Sequence, residues 1–115
     1  MIVGIPREIK NNENRVSMLP FGVEELSKSG HRILVEHNAG AGSGFTDEQY
    51  RAAGAVIESS ANTIYANSDI IVKVKEPQPE EVKMIRENQI IFTYFHFAAD
   101  QKLTNGIIKT GCIAI

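Results

Sequence analysis

The sequence predicts an α/β fold, a mostly parallel sheet with flanking helices. Three observations carry that prediction. Short apolar runs rich in Ile and Val recur along the whole chain. The stretches between them carry helix-start and helix-stop residues. Strand and helix signals alternate without a break, the pattern of βαβ units. At 115 residues, with 43% hydrophobic and 23% charged positions, the chain suffices for one hydrophobic core and no second one.

"IVGI" (residues 2–5) reads as the first strand and is followed by the polar loop "PREIKNNENR". A helix is expected from about Pro20, with proline at its first position, Val23 and Leu26 facing inward and Gly30 ending it. "RILVEH" (32–37) is the second strand. After a glycine-rich loop, "TDEQ" (46–49) has the spacing of a capping box and opens a helix through Ala53. "AVIE" reads as a short strand and "SSANTIYANS" as a helix. "DIIVKVK" (69–75) is β-branched, with valines alternating against lysines at its end. "QPEEVKMIREN" predicts a helix with acidic residues in its first turn and Arg86 near its last, as the helix dipole favours. "QIIFTYF" is the next strand, "DQKLTNGIIKTG" a helix and "CIAI" the start of a further strand. Such a chain forms a Rossmann-like or flavodoxin-like sheet. Because "CIAI" has no turn or polar cap after it, the sheet is expected to be incomplete and the sequence part of a longer protein. A very short final strand buried in the sheet is the other reading.

The formal net charge of −2 and the scattered 12 basic residues give no basic run or helix face, which argues against nucleic acid or an anionic membrane as partner. "MIVGIP" lacks the features of a signal peptide, and no apolar run approaches the roughly 20 residues that span a bilayer. A cytoplasmic location is expected. The single cysteine, Cys112, lies in an apolar stretch and reads as a small buried hydrophobe rather than a reactive thiol.

In open parallel sheets, ligands bind beyond the carboxyl ends of the strands. Three residues fall there: Arg15 in the loop after the first strand, Lys75 at the end of "DIIVKVK", and His96 directly after "QIIFTYF". A guanidinium, an ammonium and an imidazole at one sheet edge suit a small anion whose reaction moves a proton. Taken singly, each has a plainer role: a solvated loop arginine, a strand-edge lysine, a hydrogen-bonded core histidine. Spacing alone leaves the function open. "GAGSG" (40–44) follows a strand and precedes a helix, but Phe45 and Asp47 stand where a dinucleotide fingerprint needs its third glycine. The glycines are expected to serve a tight turn. His31 and His37 read as surface residues, and no cluster has metal-ligand spacing.

Four stretches carry a resemblance: "GIPREIKNNENRVSMLPFGVEELSKSG", "HNAGAGSGFTDEQYRAAGA", "VKVKEPQPEE" and "FTYFHFAAD". Together they resemble the N-terminal part of the alanine dehydrogenase family, which is related to the alpha subunit of proton-translocating nicotinamide nucleotide transhydrogenase. The resemblance implies NAD-dependent, reversible oxidative deamination of L-alanine to pyruvate and ammonia. It implies that Arg15 clamps the substrate carboxylate, that Lys75 hydrogen-bonds the substrate, and that His96 is the general acid/base. The transhydrogenase branch lacks this histidine, and its reaction protonates no imine. Residues 1–115 would be the N-terminal part of the substrate-binding domain. The NAD-binding Rossmann domain would lie downstream, so this chain by itself is expected to be inactive. Family members form homo-oligomers, hexamers among them. Ser17-Met18-Leu19 departs from the family's Ala-Leu-Thr and removes a Thr N-cap, which costs a helix about 0.5–2 kcal/mol. The alternatives are a non-catalytic module binding small 2-oxo or amino acids, and a transhydrogenase-like domain.

Overall fold

The computed structural model describes residues 1–95 and 100–115. Six strands, β1 (Ile2–Ile5), β2 (Arg32–Glu36), β3 (Val56–Glu58), β4 (Ile70–Lys75), β5 (Ile90–Tyr94) and β6 (Ile113–Ala114), form one sheet in the order β3-β2-β1-β4-β5-β6. Every neighbouring pair is parallel. That order is the Rossmann one and excludes the flavodoxin arrangement left open above. The helices are α1 (Pro20–Lys28), α2 (Asp47–Ala52), α3 (Ala61–Asn67), α4 (Pro79–Val82) and α5 (Gln101–Thr110), with a 3-10 turn at Ala41–Ser43.

The single core anticipated from chain length is divided by the sheet into two apolar clusters, and strand residues alternate between them. Ile33 and Val35 belong to one, with Val23 of α1 and Tyr50 of α2. Leu34 between them belongs to the other, with Ile64 of α3 and Leu103 and Ile107 of α5. Helices therefore cover both faces, as a parallel sheet requires. Local chemistry sets the helix starts. Thr46 and Gln49 form the anticipated capping box, while Ser60 and Asp100 cap α3 and α5. At α1 the cap is Leu19, which offers no side-chain hydrogen bond, and Pro20 supplies the preset φ instead.

Three expectations need correction. The helix anticipated over "QPEEVKMIREN" stops after one turn, at Val82. Met84 and Ile85 bond back three residues rather than four, and Arg86 is pulled out of register: its guanidinium donates to the carbonyls of Tyr65 (3.1 Å) and Ser68 (2.6 Å). Satisfying the exposed carbonyls at the end of α3 outweighs continuing α4. Second, the apolar run "IIFTYF" reads as a wholly interior strand, yet it is not buried throughout. Ile91 is fully buried, but Phe92 is 50% and Tyr94 76% exposed on the other face. Third, Cys112 is half-buried, packing on the second core without being enclosed by it.

Candidate functional site

The order reverses direction between β1 and β4, so the crevice of this sheet lies at their carboxyl ends. Residues 6–19 form the wall after β1 and are fixed at every few positions. The Arg7 amide donates to Glu36 (3.0 Å), Lys10 pairs with Glu76, the Ser17 hydroxyl donates to the Val72 carbonyl (2.8 Å), and the Tyr50 hydroxyl donates to the Met18 carbonyl (2.8 Å). Val16 is buried in the first core. A loop held this often presents Arg15 from a rigid base.

Arg15 and Lys75 line one cleft of about 470 Å³, together with Lys10, Asn11, Asn12, Glu13 and Asn14. The Arg15 side chain is 67% exposed, and its side-on edge is engaged by Glu13: Nε donates to Oε2 (3.0 Å) and Nη2 to Oε1 (2.8 Å). The Arg15 amide donates to the same carboxylate at 2.9 Å. These hydrogen bonds, with the charges of Arg15 and Lys75, lower the Glu13 carboxyl to about 2. Nη1 makes no hydrogen bond among the described residues, which leaves the outer edge of the fork with donors for a second carboxylate. Hydrogen bonding and charge from Glu13 raise Arg15's affinity for its proton, and Tyr94, the register partner of Lys75 on β5, adds least to that effect. His96, expected two residues beyond Tyr94, lies outside the described residues.

Beneath the cleft is a charge network that the sequence did not reveal. Lys73, expected to alternate with valines as a polar-face residue, is 4% exposed. Its ammonium sits between Glu8 Oε1 and Glu81 Oε2, each at 3.0 Å. Glu8 Oε1 also accepts from the Lys75 amide (3.1 Å) and Oε2 from the Val74 amide (2.9 Å). Glu81 accepts from the Tyr65 hydroxyl (3.2 Å) and the Gln78 amide (2.9 Å). Burial raises both the Glu81 carboxyl and the Tyr65 hydroxyl above their ordinary values, while Lys73 pulls Glu81 back down. The available signal was Lys73 itself, a lysine inside an otherwise β-branched strand, which needs a carboxylate if the strand is central.

Residues 4–115 match the family described as "Alanine dehydrogenase/PNT, N-terminal domain". The chain belongs to this family. An alanine dehydrogenase of Bacillus subtilis (strain 168) is 47% identical over 115 residues, all of this chain and 30% of the relative. A solved L-alanine dehydrogenase superposes with a TM-score of 0.97 at 42% identity, covering the whole chain and 32% of that protein. A transhydrogenase from Sinorhizobium meliloti follows at 0.91 and 26% identity, covering 99% of this chain and 34% of that one. The chain thus spans about a third of the length of its relatives. The alanine dehydrogenase likeness is the stronger of the two in both sequence and fold.

The glycines of "GAGSG" serve close packing and a tight turn. A Cβ at Gly42 would come within 2.5 Å of the Asn14 carbonyl oxygen, and one at Gly40 within 2.5 Å of the Tyr50 ring. The close backbone approach that a pyrophosphate would need is already taken by protein. Gly44 is left-handed at φ 86°, as a tight turn requires. The Ser43 hydroxyl donates to the Asn14 carbonyl (3.2 Å), so this glycine loop buttresses the Arg15 loop. Among the described residues, no group of three or more His, Cys, Asp or Glu is placed to hold a metal ion, and no helix is long and apolar enough to cross a membrane.

Proposed function

We propose that this chain is the substrate-binding segment of an NAD-dependent alanine dehydrogenase, which interconverts L-alanine with pyruvate and ammonia. The observation that supports it is the convergence of Arg15 and Lys75 on one cleft at the β1/β4 switch point, in a domain of this family. Arg15 receives the substrate carboxylate on the outer edge of its fork, while Glu13 holds the inner edge and fixes the plane. Lys75 hydrogen-bonds the substrate across the cleft, and His96, carried past the end of β5, moves the proton. NAD, held by residues beyond those present here, would supply the hydride acceptor. Homo-oligomerisation and a cytoplasmic setting accompany this reading.

The test uses the full-length protein. It should reduce pyruvate with NADH only when ammonium is present, and an absence of that turnover would remove the reading. Arg15→Lys should then weaken pyruvate binding although charge is preserved, because a two-pronged contact becomes a point contact. The expected loss is on the order of 1–3 kcal/mol, the scale of a charge-assisted hydrogen bond. A KM for pyruvate unchanged by Arg15→Lys would take Arg15 out of the site.

A further inference from the structure

We infer that Glu8 is a positioning residue that sets the place of Lys75 by holding the backbone of β4 where it leaves the sheet. The inference rests on the functional reading above for what Lys75 does, but its geometry is independent of that reading. Between Val72 and Lys75 the ladder shifts: Val72 pairs with Phe92 and Lys75 with Tyr94, three steps along β4 against two along β5. An extra residue of this kind disturbs the ladder and re-aims the side chains that follow. The amides of Val74 and Lys75, which lie in the shifted stretch, donate instead to the two oxygens of one carboxylate, Glu8.

That carboxylate comes from the loop after β1, which also carries Arg15. Glu8 therefore ties the two walls of the cleft together at the point where each presents its cation. Its 8% exposure and its ion pair with buried Lys73 make it a fixed strut rather than a solvated side chain. Strict strand alternation would put Lys73 and Lys75 on one face. With the shift, Lys73 is enclosed between two carboxylates and Lys75 lines the open cleft. The arrangement divides labour between two lysines two residues apart. One neutralises the strut, and the other is left available for a ligand anion.

The experiment compares Glu8→Gln and Glu8→Asp in the full-length protein. Glu8→Gln leaves Lys73 paired with Glu81, so no buried charge is orphaned; its amide end, however, offers a donor where the backbone offers donors too. Glu8→Asp keeps the charge but withdraws it by one methylene from the two amides. Both should raise KM for pyruvate about tenfold or more, as small misplacements of a binding group do, with KM for NADH unchanged. Both should also speed hydrogen exchange at the amides of residues 74 and 75. A Glu8→Asp variant with wild-type pyruvate KM would show that charge alone matters, and the positioning role would fall. Wild-type exchange rates at the two amides in Glu8→Gln, or a parallel rise in KM for both substrates, would overturn it as well. Failure of the wild-type protein to turn over pyruvate would instead strike the functional reading, while the amide exchange still reports whether Glu8 holds the strand.

Discussion

Lys73→Met should destabilise this chain by about 3–5 kcal/mol, the cost of removing one partner from a buried ion pair. Lys73 is 4% exposed, and its ammonium lies 3.0 Å from both Glu8 and Glu81, which are themselves 8% and 1% exposed. Methionine fills a similar volume, so the loss is electrostatic rather than a cavity. Two carboxylates would remain with amide and hydroxyl donors but no cation. A drop in Tm of more than about 10 °C is expected for a domain of this size. The pH dependence has a definite sign. Burial raises the Glu81 carboxyl in the folded state, so Glu81 binds its proton more tightly there than in the unfolded chain, and stability falls as pH rises through that window. Lys73 opposes the shift. Without it the folded value climbs further, so the variant should recover part of its loss on acidification, and the deficit relative to wild type should be smaller at pH 5 than at pH 8. Urea unfolding at the two pH values measures both effects. A deficit below about 1 kcal/mol at pH 8 would mean that water reaches the network and screens it.

What the sequence made legible, and what it did not, divides along physical lines. The strands were readable because β-branched runs mark strands of a parallel sheet: "RILVE" is buried on both faces, and "DIIVKVK" is buried on one face and half-buried on the other. The helix starts were readable because Thr46, Gln49 and Pro20 act within their own turn. The end of α4 was not, because what stops it is Arg86 reaching carbonyls of α3 some twenty residues earlier in the chain. The site follows the same division. Arg15 and Lys75 could be placed from topology alone, since loops after strands of a parallel sheet must gather at one edge. Glu8 could not, for its partners at Lys73, Val74 and Lys75 are 65 to 67 residues away. Glu13 could have been found: it lies two residues before Arg15, and a carboxylate so near a loop guanidinium is the simplest way to fix its plane.

His96→Gln in the full-length protein should lower kcat by about 10²–10⁴-fold, the usual worth of general acid–base catalysis. Deamination needs one group to take a proton from the attacking water and return it when the carbinolamine collapses. An imidazole does both near neutral pH. β5 ends at Tyr94, in register with Lys75, and His96 comes two positions later in the sequence. Tyr94 is the nearest competitor for the role. It stands at the end of β5, it influences Arg15, and it is 76% exposed. A phenol nonetheless holds its proton too tightly to shuttle it at neutral pH. Glutamine keeps a hydrogen-bonding side chain of similar reach and removes only the titration, so NADH affinity should be preserved and the loss should fall on kcat. The limb of the pH–rate profile that reports the imidazole should disappear with it. Tyr94→Phe, made in parallel, should leave that limb in place. If His96→Gln retains nearly full kcat with the wild-type profile while Tyr94→Phe abolishes it, the proton passes through the phenol, and His96 is a structural residue beside the cleft.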